Sequence, residues 1–198
     1  MRPGKNPGSS GNALLSSVRG CDGMIYYSEG QLIVRNMEYE DAQIIAGAEM
    51  EQGWDTSAEK YDKRLKDQAS GRAISLVAEY CGKPVGYINV YPVSTWGAFG
   101  GKGYPEIVDF GVLDKYRRQG IGSVLMDIAE KISAVYADTV YLGVGLHSGY
   151  GNAQRMYVRR GYLPDGSGVW YQDKICGPYE KCVNDDDLVL YLSKKLNE

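Results

Sequence analysis

The sequence predicts a single α/β domain built on a mixed sheet, with about seven strands and four helices. Two observations carry this prediction. Short runs rich in Val, Ile and Tyr alternate with longer stretches of helical spacing. No internal repeat or second composition regime interrupts them, and 198 residues suffice for one domain with a real core.

Residues 1–29 are set apart as a flexible N-terminal extension, because "MRPGKNPGSSGNALLSSVRG" is rich in Gly, Ser, Asn and Pro. The stretch carries basic residues but no apolar core of signal-peptide length. The folded domain is expected over residues 30–198. "QLIVRNM" reads as a first strand, and "EDAQIIAGAEMEQGW" as a helix through Ile44, Ile45 and Ala48. Thr56 and Glu59 have capping-box spacing and open a second helix with Tyr61, Leu65 and Ala69 on one face. "AISLVAEYCGKPVGYINVYP" reads as a hairpin turning at Cys81-Gly82-Lys83. "STWGAFGGKGY" is a glycine-rich loop, and "EIVDFGV" a fourth strand. A helix follows "YRRQGIG", with Ile121, Val124, Leu125, Ile128 and Ile132 on its apolar face. "TVYLGVGL" is a fifth strand and "GNAQRMYVRRG" a short helix that stops at Gly161. Strands around "GVWYQ" and "DLVLYLS" close the order.

Composition excludes several functions. Apolar residues make up 43% and charged residues 24%, as in ordinary globular chains, and no apolar run approaches the roughly 20 residues of a membrane span. A net charge of −3 argues against a nucleic-acid binder that relies on a broad basic surface. Cys21, Cys81, Cys176 and Cys182 show no CxxC spacing and His147 is the only histidine, so no Cys/His metal site is expected. The thiols are expected reduced, with a Cys176–Cys182 bridge as the alternative, and the cytoplasm is the expected compartment.

"YRRQGIG" is the chain's most informative stretch. A strand that turns into a helix presents free backbone N–H groups at the positive end of the helix dipole. Gly120 and Gly122 let a ligand approach that backbone, and Arg117 and Arg118 add charge, which suits phosphate oxygens. Neither GxxxxGK[ST] nor a Rossmann GxGxxG is present here. The pattern that fits is V-x-x-x-Y-[RQ]-x-x-G-x-G, carried by Val112, Tyr116, Arg117, Gly120 and Gly122. In these residues the chain resembles the GNAT superfamily of acyl-CoA-dependent N-acetyltransferases. A second signature, Tyr157 with Gly161 and Tyr162 at the end of a short helix, strengthens the resemblance, which spans about Ile33 to Leu192.

The resemblance implies a mostly antiparallel sheet, acetyl-CoA as cosubstrate, no metal and a primary amine as acceptor. A small-molecule amine is the first choice, with a peptide or protein amine or a non-catalytic acyl-CoA sensor as alternatives. Neither a nucleic acid nor a membrane is an expected partner, and a homodimer is left open. The family's pyrophosphate turn maps onto Arg117, Arg118, Gln119, Gly120, Ile121, Gly122 and Ser123, and its pantetheine strand end onto Val112 and Leu113. Asn152 is a further cofactor candidate, although it is out of register with the asparagine seven residues before the tyrosine in many members. Tyr157 would be the acid that protonates the departing thiolate. Glu106, eleven residues before Arg117, matches the base of the histone-acetyltransferase branch, with Asp109 as the other candidate or as a binder of the acceptor ammonium. A regular strand would point Glu106 and Asp109 to opposite faces. His147 is a candidate substrate contact.

Overall fold

The computed structural model describes residues 23–196. One sheet of nine strands runs through it: β1 Ile25–Glu29, β2 Leu32–Asn36, β3 Ile74–Tyr80, β4 Lys83–Tyr91, β5 Glu106–Val112, β6 Thr139–Gly145, β7 Leu163–Tyr171, β8 Lys174–Ile175 and β9 Leu188–Lys195. Its spatial order is β1-β2-β3-β4-β5-β6-β9-β7-β8. Only β5 and β6 pair in parallel, and the helix α3 (Ile121–Ser133) makes the crossover between them. The other helices are α1 Tyr39–Glu51, α2 Ala58–Ala69 and α4 Gly151–Arg159.

The four helices and the α/β class match the expectation, while the sheet has two strands more than the reading of about seven. β1 lies inside the stretch read as an N-terminal extension and pairs with β2. Residues 1–22 of that extension, Cys21 among them, lie outside the described residues. β8 is a two-residue partner of β7, too short to leave a periodic trace. The predicted hairpin is β3–β4, and its turn residues Cys81 and Gly82 both take positive φ (53° and 74°), the backbone that matches the twist of paired strands.

Two helix starts differ from the reading. α2 begins at Ala58 after Ser57, and the Thr56 hydroxyl is buried without a partner instead of capping it. The reciprocal box sits on α1, where the Asp41 carboxylate accepts the Glu38 N–H at 2.9 Å. The buried face of α1 is Ala42, Ile45, Ala46 and Glu49, so Ile44 points outward. In α2, Tyr61 and Leu65 face the sheet as read, but Ala69 is exposed. A further correction concerns the thiols. The loop between β8 and β9 turns back on itself, with the Glu180 carboxyl accepting the Gly177 N–H at 2.7 Å, and Cys176 and Cys182 are joined in a disulfide. Cys81 is free and exposed.

Two layers cover the sheet. On one face α3 and α4 close the main core, in which Leu125, Met126, Ile128 and Ala129 meet Ile88, Val90, Ile107 and Leu142. On the other face α1 and α2 pack Ile45, Ala46 and Tyr61 on Val77 and Tyr87. Within this second layer Glu49 is fully buried, its carboxyl group accepting hydrogen bonds from Tyr61 at 2.5 Å and from Tyr87 at 2.7 Å. These bonds tie α1, α2 and β4 to a single side chain. Glu49→Ala removes the acceptor of two buried hydroxyls, leaving Tyr87 only the Lys60 ammonium that donates to it at 2.9 Å, and should cost about 2–4 kcal/mol in urea denaturation. Glu49→Gln, which keeps an acceptor, should cost clearly less.

Candidate active site

β5 pairs with β6 only through Glu106–Tyr141 and Ile107–Leu142, although each strand has seven residues. Beyond Ile107 the sheet opens, and the C-terminal half of β5 is paired with β4 alone. A bulge lies at this divergence. Between Val108 and Gly111, β5 carries one residue more than β4 does between Tyr87 and Asn89. The extra residue takes its place with Asp109 in the left-handed region, at φ 48°. Asn89 Nδ2 holds the bulge by donating to Val108 O at 3.2 Å and Asp109 O at 3.3 Å.

The bulge changes which side chains share a face. Asp109 Oδ2 meets the Arg64 guanidinium of α2, with Nε at 2.6 Å and Nη2 at 2.5 Å. Phe110 instead joins the α3 side, close beneath Gly122. Glu106, opposite in sense to the core residue Ile107, lies on the α2 side with Asp109. The expectation that Glu106 and Asp109 face apart is therefore corrected: one inserted residue inverts the alternation.

Glu106 is 8% exposed and lies beneath the loop that follows β4. Burial pushes its carboxyl above the usual carboxylate range, partly offset by the Ser94 hydroxyl, which donates at 2.5 Å. The loop itself is fastened from several sides. Tyr141 donates to Trp96 O at 2.8 Å, and the Gly97 N–H donates to Asp173 Oδ1, beside β8, at 2.7 Å.

Between β5 and α3 the chain turns through Leu113 to Gly120. Val112 and Leu113 are buried, and Leu113 N–H donates to Val85 O at 2.9 Å. Arg118 takes φ 62° and Gly120 φ 84°, so the entry to α3 is set by two left-handed residues. A Cβ at Gly120 would meet no protein atom within 4 Å, whereas one at Gly122 would lie 3.1 Å from the Phe110 ring. The first closes the turn; the second lets the helix start lie on β5. Only at Val124 does the helix ladder begin, with its N–H on Gly120 O at 3.1 Å; the N–H groups of Ile121, Gly122 and Ser123 have no backbone acceptor. Arg117 is engaged within the protein, its Nε on Val112 O at 3.1 Å and its Nη1 on Asp114 Oδ1 at 2.7 Å. Arg118 and Gln119 are exposed, and Gln119 Nε2 donates to Lys115 O at 3.3 Å.

Tyr157 lies on the inner face of α4, 6% exposed and 5.8 Å from the Tyr162 ring. Burial alone raises its phenol, so it is protonated at neutral pH. Its hydroxyl has no partner among the described residues. Sequence reasoning passed over its neighbour Tyr150, which packs against Gly145 at the end of β6 and donates to Asp186 Oδ1 at 2.8 Å. Burial, the Asp186 bond and the nearby Asp109 and Tyr157 all raise the Tyr150 phenol. His147 shares Asp186, with Nε2 at 2.9 Å, while its Nδ1 accepts the Gly149 N–H at 3.1 Å. Nε2 therefore carries the proton, and His147 with Tyr150 holds the Asp186 carboxyl below its usual range. Asn152 is exposed at the start of α4 and makes no hydrogen bond among the described residues. The fold thus sets Glu106 at the paired start of β5, and Asp109, Val112 and the 117–123 turn along its open half; Tyr150 stands near both Asp109 and Tyr157 with His147 against its ring, and Asn152 lies apart at the exposed start of α4.

A family model described as "Acetyltransferase (GNAT) family" matches residues 35–162, which include this whole arrangement. The chain belongs to the GNAT acetyltransferase family. Solved structures with the same fold include Ard1 from Thermoplasma volcanium, 18% identical with a TM-score of 0.62, covering 85% of this chain and 100% of that one. The ribosomal-protein-S18-alanine N-acetyltransferase from Escherichia coli is 13% identical with a TM-score of 0.61, over 84% and 95% of the two chains. The yncA structure from Salmonella typhimurium, which holds its cofactor acetyl-CoA, is 15% identical with a TM-score of 0.58, over 85% and 96%. A search of curated proteins found no match.

GNAT members use acetyl-CoA, and the turn in this chain suits the pyrophosphate of that molecule. It combines unpaired N–H groups, a left-handed glycine without a side chain over them, and the exposed Arg118. No cluster of His, Cys, Asp and Glu that could hold a metal occurs among the described residues. Sequence reasoning also missed Asn89, Ser94 and Arg64, which act through contacts between distant segments and leave no local pattern.

The Glu106 environment makes a prediction about stability. Its folded pKa lies above the unfolded value of 4.5, so its contribution is fully favourable below that pH and is lost as pH rises through the folded value. Glu106→Gln should therefore be more stable than wild type at pH 8, by denaturant midpoint, and the difference should shrink toward zero below pH 4.5.

Proposed function

We propose that this GNAT protein transfers an acetyl group from acetyl-CoA to a primary amine by direct attack, without a covalent enzyme intermediate. The observation that carries the reading is a strand that begins at a buried carboxyl, Glu106, opens beyond Ile107 and runs into the 117–123 turn, where the N–H groups of Ile121, Gly122 and Ser123 have no backbone acceptor. The thioester supplies the activated acyl group. Glu106, directly or through water, accepts the proton that the ammonium must lose, and its raised pKa suits that task near neutrality. The amine nitrogen bonds to the acyl carbon, the carbon–sulfur bond breaks, Tyr157 gives its proton to the leaving sulfur, and the second proton that the nitrogen loses restores the phenol. Val112, Leu113, Gln119, Gly120, Ile121, Gly122, Ser123 and Arg118 would hold the cosubstrate, chiefly through backbone N–H groups, with Asn152 at the rim. Arg117 serves the same site by shaping the turn. Asp109 is less suited to be the base or to bind the acceptor, because the Arg64 guanidinium already neutralises it.

A small acceptor is the first reading, because the Ser94–Gly97 loop covers Glu106 and is pinned to Tyr141 and to Asp173 of the β7–β8 turn. A peptide amine is the second reading, supported by the fold shared with the Escherichia coli enzyme that acetylates the alanine of ribosomal protein S18.

The test is acetyl-CoA-dependent thiol release over a panel of small amines and N-terminal peptides. Turnover with small amines, and little with peptides, is the expected result. Acetyl-CoA binding with no turnover of any amine would make the protein a sensor instead. In the active assay Tyr157→Phe should lower turnover at least tenfold, within the roughly 10²–10⁴-fold range of general acid catalysis, with acetyl-CoA affinity nearly unchanged. Full activity in that variant would assign Tyr157 to the core. Glu106→Gln should lose rate chiefly at neutral and low pH and recover in part as pH approaches the pKa of the amine.

A further inference from the structure

Arg117 is held by more than the turn it belongs to. Beyond its bonds to Val112 O and Asp114, its guanidinium carbon stacks 5.1 Å from the ring of Trp54, which stands in the loop joining α1 to α2. From the same loop, Gln52 Oε1 accepts the Asp114 N–H at 3.1 Å. The Gln52 Nε2 group is buried and finds no partner, so this amide is placed for its oxygen. The loop is in turn rooted on α1: Trp54 N–H donates to Glu49 O at 2.9 Å, and Gly53 N–H to Met50 O at 3.0 Å. Glu49 is the buried residue that Tyr61 and Tyr87 fasten to α2 and β4.

We propose that Trp54 and Gln52 are positioning residues for the 117–123 turn, splinting Arg117 and Asp114 so that the N–H groups leading into α3 stay aimed at the cosubstrate. The proposal rests on the acetyl-CoA reading above. Arg117 then acts as a bracket between the turn and the α1–α2 loop, and Arg118 is the arginine left to face phosphate. Neither Trp54 nor Gln52 takes part in the proton transfers, so their loss acts on cosubstrate affinity and not on the chemical step.

Calorimetry with acetyl-CoA tests this. Trp54→Ala should weaken binding about three- to tenfold, the range of a partly desolvated cation–π contact, and raise the KM for acetyl-CoA while kcat at saturation stays near wild type. Trp54→Phe should recover most of the affinity. In an Arg117→Ala background the effect of Trp54→Ala should vanish, because the two side chains act as one unit. Wild-type affinity in Trp54→Ala, or a full additional loss on top of Arg117→Ala, overturns the proposal. If Trp54→Ala does not fold, as judged by its melting temperature, Gln52→Ala decides: affinity at least about twofold weaker supports the splint, and unchanged affinity overturns it. Failure of the wild-type protein to bind acetyl-CoA would instead remove the cosubstrate reading itself.

Discussion

The left-handed backbone at Asp109 is the constraint on which the active face is built. A non-glycine residue at φ 48° stays there only when its surroundings over-determine it. Here they do so twice. Asn89 reaches across from β4 to two successive carbonyls, and Arg64 descends from α2 to the Asp109 carboxylate. The inserted residue bends β5 where its parallel ladder with β6 stops, opening the sheet at the point where the strand runs on into the turn and α3. It also sends Phe110 under Gly122, so the helix start and the strand end are packed as one unit.

Charge is distributed around this opening with a clear division. Asp109 is paired with Arg64, and Asp186 is held by His147 and Tyr150. Glu106 has no paired cation: the hydroxyls of Ser94 and Tyr141 and the more distant Arg64 offset its burial only in part, and its pKa rises. A group that destabilises the fold when ionised at neutral pH is the one that the proposed reaction uses to accept the proton of the amine. That conflict between stability and chemistry is the physical mark of a functional site.

The second layer of the fold works at a distance. Glu49, buried beneath α1, gathers the hydroxyls of Tyr61 and Tyr87, and the loop that leaves its helix reaches the turn before α3 through Gln52 and Trp54. The turn is thereby tied to three elements: β5 through Val112, α3 through Gly120, and α1 through its loop.

Much of this was legible in the residues. The amphipathic spacing of α3, the β-rich runs of β3, β4 and β6, and the glycine and arginine pattern at 116–122 are local signals, because each reflects the period or turn chemistry of one element. Those signals, with Tyr157 near the end of a short helix, were enough to place the family and the candidate turn. Other features depended on partners far away in the chain. The shared face of Glu106 and Asp109 follows from one residue of mismatch between β5 and β4, which neither strand reveals alone. The inward face of α1 was misread because a carboxyl group, Glu49, occupies it, and only the tyrosines of α2 and β4 make that burial tolerable. Arg117 read as a phosphate ligand, since its charge is visible in the sequence and its bonds to Val112, Asp114 and Trp54 are not. Sequence determined the elements and the chemistry available at the turn; the tertiary structure decided which charges are already spent, because pairing and burial are properties of contacts between segments.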